Sequence, residues 1–336
     1  MLNWEIKKIL KDKSSIIALI LMIISFLIIS FVKPLLETQN EYFDESNNKY
    51  VIDNRSKDEI ANEKLNIKKE MIKSTIKDKE VDKSLKSISK EKLTLDNGKK
   101  YEDVDFYKVF TERIDFPVTI IIMIIIIVMI MSNLYTDEVV ANVSPIILSS
   151  KQKDKALYSK VIIAILLPIL VYSLYLGGTW LITYIQYGKP LNGDLQSYRI
   201  IDVAILAKSF TINQYVLAKI ITTTLILLGI SIVSLLVSFL SDNSIKSISI
   251  TAGFIASGKL LTQFSFLPKD IRLLLGQGNY IDVIMGMSKI SGFYCGEINI
   301  LSKTVDMSNL IILIYALITI IGLLGCIYTI KKVLTK

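Results

Sequence analysis

Two stretches of the chain hold residue types at spacings that chemistry uses. In the first, Gly253-Phe-Ile-Ala-Ser-Gly258-Lys259-Leu260 repeats the glycine and lysine spacing of a phosphate-binding loop. The hydroxyl residue that would hold magnesium is Leu260 here, no strand-like run comes before it, and its surroundings are apolar, so it is not read as a nucleotide site. Lys259 is the residue left to explain. A lysine deep in a membrane span costs roughly 2.5–3.5 kcal/mol and must face a cavity, a partner or an interface. It is a candidate intramembrane polar site; the plain alternative is a shorter or shifted helix from which Lys259 snorkels to the surface.

The second stretch is 137–160, a polar interval between the apolar runs Phe116–Met131 and Val161–Tyr187. It begins with Asp137-Glu138, passes through the apolar knot Pro145-Ile146-Ile147-Leu148 and Ser149-Ser150, and ends in Lys151, Lys153, Lys155 and Lys160. Charge at both ends and a compact apolar patch between them suit a short helix lying beneath the membrane and touching another protein. A solvated connector with ordinary positive flanks is the alternative. Catalytic chemistry finds little else to use. The absence of histidine removes most zinc sites and imidazole acid–base catalysis. No nucleophile–base pair, metal cluster or paired carboxylates lie within an apolar run. Cys295 is in a polar stretch and Cys326 in an apolar one, so no disulfide is expected. No catalytic, cofactor or metal residue is assigned.

The elements that must position these residues are membrane helices. The chain has 336 residues, 51% of them hydrophobic, and apolar runs long enough to cross a bilayer, each needing roughly 20 residues. The fold class expected is an all-α polytopic membrane protein with six transmembrane helices and a helical extracytoplasmic insertion between spans one and two. Residues 1–13 put Leu2, Ile6, Ile9 and Leu10 on one face, with lysines towards the other and Trp4 suited to the interface. They read as a cytoplasmic interfacial helix. Span one covers 14–33; its core is too long for a cleavable signal, and no small-residue cleavage site follows. The insertion, 34–115, has 17 basic and 19 acidic side chains, a net of −2. Between Ile60 and Ile88 one heptad position reads Ile60, Ile67, Ser74, Val81, Ile88 and the other Lys64, Met71, Asp78, Leu85, which suits a helical hairpin in a solvated stalk. Asn97-Gly98 offers a turn.

The membrane domain, 116–336, holds spans two to six and the cytoplasmic loop 133–157. Span four is read at Val216–Leu240, span five at Ile248–Leu267, residues 268–307 as amphipathic, and span six at Leu310–Ile330. Six spans place both termini together, where Lys7, Lys8, Lys11, Lys13, Lys151, Lys153, Lys155, Lys331, Lys332 and Lys336 gather. The positive-inside rule makes that side cytoplasmic. Insertions longer than about 60 residues cross regardless of charge, so 34–115 is expected outside. The net charge of +8 is assigned to loops facing lipid rather than to nucleic acid, because no basic face carries interleaved aromatics.

The order of parts resembles the membrane subunit of an ATP-binding-cassette exporter of the type-two, six-span permease family. That family's loop between spans two and three has an acidic residue, a small pair, then Leu-Leu-x-Ser/Thr-Pro-x-x-Arg and a later Lys. Glu138, Ala141-Asn142, Ile147-Leu148-Ser149-Ser150 and Lys160 fall in the matching places. Two departures stand out: a usual glycine is missing near Ala141-Asn142, and Lys151 follows Ser150 where a proline is usual. The large insertion is similar to those of exporter-like proteins with big ectodomains. The resemblance implies a permease that works with a second copy or homologous chain and with separate cytosolic ATPase subunits, and that exports an amphipathic or hydrophobic solute, peptide or lipid-linked molecule. It implies ATPase-coupling roles for Glu138, Ile147, Leu148, Ser149 and Lys155. A non-transporting scaffold or signalling protein, whose ectodomain binds an envelope or secretion partner, is the alternative.

Overall fold

The structure, a computed structural model, describes residues 1–44, 48–300 and 303–334; Lys336 of the terminal lysine group and residues 45–47 of the insertion lie outside the described residues. Helix α1 (Leu2–Lys11) leads to Asp12, whose side chain caps α2 (Lys13–Phe31) by accepting from the Ser14 N–H. The insertion follows. It opens with a hairpin, β1 (Glu41–Asp44) and β2 (Lys49–Ile52), antiparallel with Glu41 opposite Ile52. Ser56 and Glu59 form a reciprocal capping box that starts α3 (Lys57–Lys77). Then come α4 (Lys83–Leu95), a turn in which Gly98 takes φ +72°, and α5 (Asp105–Arg113).

Pro117, in the first turn where its missing N–H costs nothing, begins α6 (Pro117–Val140). The short α7 (Ser144–Ser149) comes next, then α8 (Lys153–Tyr187). At 35 residues α8 spans about 50 Å, so it overruns a hydrocarbon core of about 30 Å. A Thr211–Gln214 capping box opens α9 (Ile212–Phe239), and Asn243 caps α10 (Ser244–Leu261). The rest is α11 (Lys269–Gly278), α12 (Tyr280–Met285), α13 (Ser288–Ser291), an antiparallel hairpin of β3 (Glu297–Ile300) and β4 (Lys303–Asp306), and α14 (Met307–Thr329), which continues as a π-turn through Leu334.

Five of these helices, α2, α6, α8, α9 and α14, are long and apolar enough to cross a membrane. The chain is therefore a mostly helical, multi-pass membrane protein with two small hairpins added. The expected fifth span differs most. Its helix starts at Ser244 rather than Ile248 and stops at Leu261 rather than Leu267, and it falls short of the other five in apolar character. Gly253–Leu260 lies inside that helix. The serines and Lys246 and Lys259 lower its hydropathy, and Pro268 begins a new helical direction.

Helix α9 is the hub, touching α6, α8, α10 and α14. Without a hydrophobic drive inside lipid, such packing depends on close fit. A Cβ on Gly322 would come within 2.9 Å of Ile232, and one on Gly325 within 3.0 Å of Leu236, so α14 approaches α9 through these two glycines. Helix α2 lies at the edge, where Gly178 of α8 leaves room for the Phe26 ring. The ends of α6 and α9 meet through Tyr135 and Phe239, and the second half of α14 lies beside Leu236, so both chain ends share one side, here called the terminal face.

The insertion is not a stalk. Leu65, Ile72 and Val104 pack in one buried cluster with Leu195, Tyr198, Ile200, Ile201, Ala204, Ala207, Ile212 and Tyr215, which come from the link between α8 and α9 and the start of α9. Polar bonds hold the same contact: Arg199 Nη2 lies 2.8 Å from Asp96 Oδ1, and Lys108 bridges Glu37 (3.0 Å) and Asp202 (2.8 Å). Burial raises the Glu37 pKa, but Lys68 and Lys108 outweigh it and hold the carboxyl below its ordinary value. The heptad positions are inward only in part, as a loosely packed helical hairpin allows: Ile60 and Leu85 are buried and Ile67 and Met71 about half exposed, while Ala61, Leu65, Ile72 and Thr75 also face inwards. A helix packed against several partners follows the 3.6-residue period rather than a two-helix 3.5 repeat.

Candidate functional site

The terminal face carries the densest set of buried charge near the 137–160 stretch. Glu138 is in the last turn of α6, Lys160 two turns into α8, and Glu5 and Lys8 on the inward side of α1. Lys160 Nζ donates to Glu138 Oε1 at 2.6 Å and to Glu5 Oε1 at 2.7 Å. Lys8 Nζ donates to the same Glu138 oxygen at 2.8 Å, and both lysines also reach the Leu134 carbonyl at 3.2 Å. Glu5 is 1% exposed, Glu138 3% and Lys160 0%. Burial raises the Glu5 pKa against the pull of Lys160. A buried cluster of this kind is sensitive to loss of one member, because the charge left behind has no water to solvate it.

This placement corrects the expectation that the acidic end of the 137–160 stretch belongs to a short helix touching another protein. Glu138 is inside, tying α6 to α8 and α1. Asp137 is half-buried beside Ser244, whose hydroxyl approaches Asp137 Oδ1 at 3.5 Å. A helical turn of 3.6 residues turns Glu138 and Leu134 to the same side, and that side faces α8.

Beyond Val140 the chain reverses sharply. Asn142 has φ +55°, a left-handed conformation that glycine enters freely and asparagine tolerates better than most residues. The turn sets α7 off from α6, and a Tyr135–Ser144 hydroxyl bond of 2.9 Å pins the start of α7 back onto α6. Pro145 occupies the first turn of α7. Leu148 packs against the membrane core and Ile147 is half-buried, so these two hold α7 in place. The outward apolar residues are Val140 at 63%, Val143 at 37% and Ile146 at 68% exposed. Ser149 is exposed, its hydroxyl donating to the Ile146 carbonyl at 3.0 Å, and Lys155 is exposed at the start of α8. Ser149 and Lys155 thus border the outward patch, while Glu138, Ile147 and Leu148 anchor it from behind.

Lys259 is elsewhere, in the last turn of α10. It is not alone: its side chain is 44% exposed, and its Nζ lies 2.7 Å from both carboxylate oxygens of Asp282 on α12. Asn279 also donates to Asp282, at 2.7 Å.

Reading the sequence missed Glu5 and Lys8 as parts of the buried set, and Ile146 as the outward residue of the apolar knot. Glu5 had a signal, being the one acid in an otherwise basic 1–11 helix. Ile146 had none, since three consecutive apolar residues do not say which way a two-turn helix is rotated. No family model, curated protein or solved structure matches the chain.

Proposed function

We propose that the chain is the permease subunit of an ATP-binding-cassette transporter, exporting an amphipathic or hydrophobic molecule and driven by separate cytosolic ATPase subunits. In this reading the terminal face is cytoplasmic, the insertion is outside, α10 with α11 and α12 makes the sixth crossing, and a second copy or homologous chain completes the pore. One observation carries it: α7 presents Ile146 with Val140 and Val143 to solvent, while the frame behind it is locked by charge to α1 and α8. An exposed apolar patch on a rigid base, bordered by Ser149 and Lys155, suits insertion into a groove of another protein. ATPase closure would press on α7, and the Glu138–Lys160–Glu5 set would pass the movement to the long α8 and to α1 together. The left-handed Asn142 supports the resemblance as well, since it supplies the turn for which the family uses glycine near this place.

The test is Ile146→Asp, with co-purification of a cassette ATPase co-expressed with the permease as the readout. Burial of one such side chain is worth about 1.5–3 kcal/mol, so loss of at least tenfold in association is expected, with insertion and thermal stability unchanged. Retained association and retained substrate movement would remove the coupling role of α7. The scaffold reading would then lead, and the packed outer domain, with its own buried cluster, is the observation in its favour.

A further inference from the structure

On the insertion side of the membrane helices, α6, α10 and α12 leave a crevice of about 180 Å³ whose wall is wholly apolar. Ile121, Ile124 and Ile125 form one side, Ile255 another, and Ile284 and Met285 the third. Ile121 is 41% exposed, Ile125 48% and Met285 60%, so the crevice opens sideways, where lipid lies. A cavity with such walls stays dry and takes up apolar groups. Its size suits a stretch of alkyl chain rather than a whole solute.

The crevice itself has no polar lining, but two of the same helices, α10 and α12, carry charged groups within a turn of its lining residues. Lys259 follows Ile255 by one turn of α10, about 6 Å along the axis. Asp282 lies between Ile281 and Ile284 on α12 and fixes the Lys259 ammonium from one side. The ammonium carries three protons, its side chain stays 44% exposed, and the side chain of Lys289 on α13, also exposed, lies beside Gly286, the residue after Met285 of the crevice wall. Two lysines against one aspartate leave the mouth positive by one charge. An apolar slot with a cationic lip is complementary to a molecule with an alkyl tail and an anionic head.

We propose that the crevice and its lip form one binding site for a lipid-like amphiphile whose phosphate-bearing head has a net negative charge, the tail lying between α6, α10 and α12 and the phosphate meeting Lys259 and Lys289. The site deepens the exporter reading by naming its cargo class, and rests on that reading for the cargo role alone.

The experiment reconstitutes the full chain in phosphatidylcholine nanodiscs and adds a phosphatidylglycerol probe carrying a diazirine near the end of one acyl chain. A phosphatidylcholine probe with the same tail serves as the comparison, and cross-linked peptides are mapped by mass spectrometry. Labelling of residues 121–125, 255 and 281–285 is expected to be at least fivefold stronger with phosphatidylglycerol. Lys259→Gln should bring it down to the phosphatidylcholine level. Ile255→Trp should abolish it by filling the slot, and Met285→Trp, at the exposed edge, serves if that variant misinserts. Labelling of Leu19, Ile23 and Leu27 on the exposed side of α2 should not change in any variant. Equal labelling by the two probes, or an equal spread over α2, would mean ordinary boundary lipid and overturn the site. So would full displacement by millimolar inorganic phosphate, because the tail would then contribute nothing. The measurement needs no ATPase, so its failure leaves the coupling role of α7 standing, and failure of the Ile146→Asp test leaves this labelling standing.

Discussion

Lys92 is the plainest case of a residue whose surroundings set its chemistry. It is fully buried on α4, and its ammonium is held by the carbonyls of Ala204 and Ile205 at 3.0 Å each, with no carboxylate within ion-pair distance among the described residues. Burial pushes its pKa down from 10.5 to about 8. The folded state therefore disfavours the charged form. That cost, roughly 3 kcal/mol, is fully present below about pH 8 and disappears as pH rises towards the unfolded value near 10.4. Resistance of the domain built around the insertion to proteolysis should accordingly increase between pH 7.5 and 9.5, and Lys92→Met should lose that increase. Equal pH slopes in the two proteins would show that Lys92 is not the group responsible. Nothing in the sequence around Lys92 sets it apart from the other lysines of the insertion; its partners lie over 110 residues away.

At the scale of elements, α1 forms where the amphipathic pattern places a helix, with Trp4, Ile6 and Leu10 exposed. Its inward side sets the charged Glu5 and Lys8 beside the apolar Leu2 and Ile9, which pack against the core. Glu5 and Lys8 join α1 to α6 and α8, so the three helices are expected to move as one body. Lys160→Met tests this. It leaves Glu5 and Glu138 facing each other in a buried place, a loss of about 3–5 kcal/mol by comparison with other broken buried pairs. A large drop in thermal stability in detergent is expected, and adding Glu138→Gln should restore more than half of it. If the double variant were no better than the single one, the repulsion between the two acids would not be the cause. The α7 knot was legible as a unit, but its rotation was not. Tyr135–Ser144 and the packing of Leu148 decide that Ile146 faces out.

For the whole molecule, the domain built around the insertion is a joint product of distant segments. Of the eleven residues in its buried cluster, eight come from 195–215 and three from the insertion. A fragment of residues 34–115 should therefore be unfolded by circular dichroism and amide dispersion, since it lacks most of its own core; a cooperatively folded fragment would show that the insertion is an independent unit. Tyr294, bonded to Asp82 at 3.0 Å, and Glu297, bonded to Ser84, join the same assembly from the far end of the chain.

The amino-acid sequence by itself determined the membrane class, the long helices and most of their limits. These depend on runs of apolar residues and on caps such as Ser56–Glu59 and Thr211–Gln214, which act within a few residues of themselves. It also determined that Glu138, Lys160 and the 145–148 knot belong together along the chain. The tertiary structure decided which way each of them faces. Glu138 turned inwards because α1 and α8 bring lysines to it, the insertion became a packed domain because the α8–α9 link supplies its core, and Lys259 became one half of an ion pair because α12 brings Asp282 beside α10. Each outcome depends on partners 22 to 155 residues apart, and no local pattern encodes a contact at that distance.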